Sequence, residues 1–102
     1  MKVEFFYFDG CPSHEPAYEN LKEVLLEKGI ESEIESIKVN STDDAAKLRF
    51  QGSPSIRIDG KDIEGKEEGY SYSCRVFEID GKLTGVPTKE YLSDKIKILT
   101  GK

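Results

Sequence analysis

Cys11 stands where a strongly apolar run hands over to an amphipathic one, inside Asp9-Gly10-Cys11-Pro12-Ser13-His14. A thiol at a helix start is chemically primed, because unpaired backbone N–H groups and the positive end of the helix dipole favour the thiolate. Such a thiolate attacks disulfide sulfur or holds a soft metal ion. A second cysteine, Cys74, lies 63 positions further on. In a reducing compartment a pair of this kind is more often reactive, ligating or merely buried than a structural cross-link. His14 is the only histidine. In the first helical turn its imidazole either lies near the sulfur, favouring the thiolate and serving as a general acid, or is simply solvent-exposed. Ser13 either caps the helix or hydrogen-bonds the thiolate, capping being the commoner use. Pro12 and Pro16 fit a first turn and stiffen the cysteine loop.

The elements that must position these residues are legible from periodicity. Val3-Glu4-Phe5-Phe6-Tyr7-Phe8 is apolar on both faces except at Glu4, the pattern of a central strand covered on each side. Over residues 15–28, Ala17, Leu21, Val24 and Leu25 recur at helical spacing and Gly29 closes the helix. Ile34, Ile37 and Val39 mark a second strand, parallel to the first through a right-handed crossover. Ser41-Thr42-Asp43-Asp44 resembles a capping box opening a short helix through Ala45, Ala46, Leu48 and Phe50, ended by Gly52. Ser53-Pro54 leads into a strand over residues 55–58, and Asp59-Gly60 turns it back through Lys61, Asp62 and Ile63 as a hairpin. Residues 65–73 read as a polar loop, with Tyr70 and Tyr72 lining a groove over Cys11, binding a partner, or merely exposed. Residues 74–79 alternate like another strand before the turn signal Asp80-Gly81. Pro87-Thr88 opens a last helix with Tyr91, Leu92, Ile96 and Leu99 on one stripe and Gly101 beyond it.

Composition narrows the function further. The 102 residues, 36% hydrophobic and 34% charged, suit one globular domain spanning residues 1–102. A net charge of -5 leaves no electrostatic footprint for nucleic acid or anionic membrane, and points any protein partner toward basic surface. The N-terminal run is too short for a signal peptide, so a cytoplasmic location is expected. Asp43-Asp44 and the scattered carboxylates read as helix-start charges and a solvated face, without the spacing of a calcium loop. Phosphate-binding glycine loops and Ser/His/Asp triads are absent from the sequence.

The order strand, helix, strand, helix, hairpin, helix resembles the thioredoxin fold over essentially the whole chain. It implies an α/β domain of order βαβαββα with a mixed four- to five-stranded sheet flanked by helices. More narrowly, Tyr7-Phe8-Asp9-Gly10-Cys11-Pro12, Gly52-Ser53-Pro54-Ser55-Ile56-Arg57-Ile58-Asp59-Gly60 and Ser73-Cys74-Arg75 resemble small thioredoxin-like proteins. Some of these carry labels connecting them with organomercury-cleaving enzymes. The resemblance implies a cis Pro54 beside the active cysteine, with Pro12, Ser13, Ser53 and Pro54 shaping the substrate groove. His14 stands where the family has its second cysteine, so a mixed disulfide on Cys11 must be resolved by Cys74 or by glutathione. Cys74 is equally readable as a small buried hydrophobe. The expected activity is thiol–disulfide exchange through Cys11, with no cofactor, glutathione as co-substrate, and glutathione or a disulfide-containing protein as partner. The competing readings are capture of mercury, copper(I) or zinc by Cys11 and Cys74, and an interaction module without catalysis.

Overall fold

The computed structural model describes residues 1–101. The N-terminal apolar run forms β1 (Val3–Tyr7), and α1 (His14–Glu27) carries the chain across to β2 (Ile34–Lys38). A short α2 (Thr42–Leu48) leads into β3 (Gln51–Ser53), β4 (Ser55–Ile58) and β5 (Lys61–Asp62). Then follow β6 (Ser71–Cys74), β7 (Phe77–Ile79), β8 (Lys82–Thr84) and the closing helix α3 (Lys89–Thr100). The protein is therefore α/β with a mixed sheet and three helices, but eight strands form where βαβαββα expects four.

The main sheet has the order β2-β1-β4-β5. β1 pairs parallel with β2 and antiparallel with β4, which pairs antiparallel with β5. The two apolar faces of β1 are used separately. Val3 and Phe5 face a core closed by Leu21, Val24 and Leu25 of α1 and Leu92 and Ile96 of α3. Phe6 faces the other way, onto Val39, Ala45 and Phe50 beneath α2. Such two-sided burial is why this strand reads as a continuous apolar run. β2 occupies an edge and is half exposed, which explains its weaker pattern.

The helix signals work locally. Ser41 Oγ accepts the Asp44 N–H at 3.1 Å and Thr88 Oγ1 accepts the Tyr91 N–H at 3.2 Å, each satisfying a backbone donor that a helix start leaves over. Ser13 makes no such side-chain cap at α1. α2 also ends sooner than expected, at Leu48, with Arg49 in the left-handed region. Gly52 is no helix stop but part of β3, at φ 98°, and a Cβ there would lie 2.9 Å from Cβ of Arg75. The glycine marks a close approach of two backbones.

Residues 71–84 depart most from the sequence reading. The end of the polar loop becomes β6, which pairs parallel with β3, Ser53 opposite Cys74. The single strand expected over residues 74–79 is broken, with β7 and β8 forming their own hairpin about Asp80-Gly81. Arg75, between β6 and β7, turns inward and is 3% exposed. Its guanidinium meets both oxygens of Asp62, at 2.8 and 2.9 Å, and Oε1 of Glu64 at 2.7 Å, while the Tyr91 hydroxyl donates to Glu64 Oε2 at 2.6 Å. Asp62 is itself buried, so not every carboxylate belongs to a solvated face. The bidentate fork is the geometry that makes such burial tolerable.

Candidate functional site

Cys11 follows the turn after β1, two residues ahead of Ser13 at the α1 cap. It is 0% exposed, yet its surroundings are polar. Its Sγ donates to the Ser53 carbonyl at 3.4 Å, across the sheet. That carbonyl also accepts the Arg75 N–H at 2.9 Å, so one oxygen ties the sulfur to the end of β6. The Ser53-Pro54 peptide bond is cis, as the resemblance implied, and both residues are buried. Ser53 Oγ reaches back to the Phe8 N–H at 3.5 Å.

Cys74 is brought to the same place. The β3–β6 register sets it opposite Ser53, close enough for each thiol to shift the acidity of the other, and it is exposed where Cys11 is sealed. Both are free thiols. Burial alone pushes the Cys11 thiol up. Hydrogen bonds from the Cys74 thiol, the Ser13 N–H and hydroxyl, and Ser53 outweigh it and hold Cys11 below its ordinary value of 9.0. The same contact with Cys11 pushes Cys74 up, helped by burial and by the neighbouring negative sulfur. The two shifts run in opposite directions, which makes the inner sulfur the more acidic of the two.

Ser13 serves the sulfur instead of the helix cap. Room for its hydroxyl comes from Gly85, where a Cβ would lie 2.6 Å from Ser13 Oγ. Nothing in the sequence flags Gly85, because the contact links two distant loops. Pro12 is exposed at the mouth of the turn. His14 stacks its ring on Tyr7, centroids 4.7 Å apart, while Cys74, Ser13 and Ser53 supply the hydrogen bonds to the sulfur. Tyr72, expected on a loop, lies in β6 and packs on Phe8 at 4.9 Å, three residues before Cys11. Among the described residues no group of three or more histidine, cysteine, aspartate or glutamate side chains is arranged to hold a metal ion, and no helix is long and apolar enough to cross a membrane.

Comparison with known protein families, curated proteins and solved structures finds no match for this chain.

Proposed function

We propose that this protein is a thioredoxin-fold thiol–disulfide exchange protein working through the Cys11–Cys74 pair. One observation carries the reading: a cysteine distant in sequence is set by strand register opposite Ser53, the residue whose carbonyl accepts the Cys11 thiol. The sheet order β2-β1-β4-β5, with the first cysteine after β1 and a cis proline opening β4, supports the fold assignment. A cytoplasmic location, where thiols such as these two stay reduced, belongs to the same proposal.

The exposure of Cys74 and burial of Cys11 favour roles opposite to those expected from the sequence, in which Cys11 attacks and Cys74 or glutathione resolves. Cys74 is the sulfur that a substrate meets, and Cys11 is the inner resolving group. Transfer of the Cys74 proton to the Cys11 sulfur, where the Ser53 carbonyl accepts it, runs against the order of their acidities and leaves a minor fraction of Cys74 thiolate, which attacks a disulfide RSSR and releases RS⁻. Cys11 then attacks Cys74 Sγ, and its proton leaves with the second RS group as RSH. The dithiol loses two electrons, the substrate becomes two thiols, and the internal disulfide awaits reduction by an external thiol such as glutathione.

The test uses oxidised glutathione and the full chain. Cys11→Ser should accumulate a stable mixed disulfide on Cys74, and Cys74→Ser should slow formation of the first adduct by about tenfold or more. Failure of the wild-type protein to form an internal disulfide would overturn the reading. Binding of one mercury or copper(I) ion per reduced chain, with no disulfide consumed, would replace it with metal capture.

A further inference from the structure

A groove of about 570 Å³ opens on the α1 side of the sheet, at its β2 edge, and uses none of the sulfur chemistry. Phe5, Tyr7, Tyr18 and His14 line it with rings, and Glu15 and Glu19 line it with carboxylates. The rings are fixed by one another. Phe5 is buried, Tyr18 meets it edge-on at 5.4 Å, and Tyr7 is held between Phe5 at 6.2 Å and His14 at 4.7 Å. A third carboxylate, Asp9, is already paired with Lys38. Glu15 and Glu19 have no ion-pair partner among the described residues. They stand one turn apart on an exposed helix face, where like charges repel, so a cation settling between them relieves that repulsion. The partly exposed rings of Tyr7, Tyr18 and His14 beside unpaired carboxylates make a setting for an organic cation, whose methylene stem lies along the rings while its charge meets the acids.

We propose that this groove docks a lysine side chain presented by a polypeptide partner. The negative net charge attracts basic surface toward it. Its open shape separates it from a small-molecule site, which encloses most of its ligand; a side chain brings the partner's own surface to close the groove. The proposal does not depend on the thiol chemistry, and it stands or falls with either cysteine replaced.

The experiment titrates the full chain with a short Gly/Ser peptide bearing one central lysine, following the ring resonances of Tyr7, Tyr18 and His14. Saturable shifts are expected, and they should weaken as salt rises. The Glu15→Gln, Glu19→Gln double variant leaves the core untouched and should weaken binding about fivefold or more. The same peptide with its lysine acetylated should give no saturable shift. Equal binding of the acetylated peptide, or an unaffected double variant, would overturn the proposal. Butylamine binding as tightly as the lysine peptide would also overturn it, in favour of a free amine as the ligand.

Discussion

Residues 1–58 and residues 59–86 are built on different physics. In the first, apolar side chains at regular spacing decide where the backbone goes, and β1, α1 and α2 pack onto two hydrophobic cores. In the second, the strands are two to four residues long, and β6 is exposed throughout. What directs that stretch is Arg75, gripped by Asp62 and Glu64 and lying over the Phe77 ring at 4.9 Å. The candidate site takes one sulfur from each region. Cys11 comes from the part ordered by hydrophobic spacing, and Cys74 stands beside the buried arginine on a strand paired with β3.

The sharpest way to break this contrast is Arg75→Ala, which leaves the Asp62 carboxylate buried and unpaired. Stability should fall by about 3–5 kcal/mol in urea unfolding. Any folded variant should show Cys11 titrating closer to its ordinary value, because β6 no longer presents Cys74. A variant of full stability and unchanged thiol titration would show that backbone pairing alone positions β6.

Acid should act next. Burial alone would raise Asp62 and Glu64; hydrogen bonds and charge from Arg75, with Tyr91 also donating to Glu64, hold both below their ordinary values of 3.8 and 4.5. A carboxyl lowered in the folded state stabilises the fold above its unfolded value, and that contribution disappears as pH falls through the folded value. Stability should therefore be flat above about pH 5 and decline below about pH 4, with amide protection in β5 and β6 lost before that in α1. Simultaneous loss would mean that the two regions unfold as one unit.

The smallest effect is expected in the first region. Ser41→Ala removes the α2 cap and should cost about 1 kcal/mol, without altering the titration of either cysteine. A shift in that titration would show that α2 and the sulfur pair are coupled.

The same division explains what could be read from the chain. The α1 and α3 stripes, the Ser41 and Thr88 caps and the Asp59-Gly60 turn are local signals, and each element they announce is present within a residue or two. Cys11 was legible because its neighbours mark a strand-to-helix passage. Cys74 was identifiable only as a cysteine, since its place comes from pairing with a strand twenty residues earlier, beside an Arg75 that binds Asp62 thirteen residues away. Charged residues read as surface by default, so Asp62 and Arg75 give no outward sign of burial. Gly52 misled for a related reason: a glycine required by a distant side chain looks the same as one that ends a helix.

The span between the two sulfurs carries a thermodynamic consequence. Joining them would tie positions 63 apart into a ring, and chain-entropy reasoning assigns such a closure about 4 kcal/mol of added resistance to unfolding. By the closed cycle linking folding to oxidation, the folded chain favours the bond over the unfolded chain by the same amount. With the proposed disulfide formed, the melting temperature would double as a gauge of the electron balance around the protein.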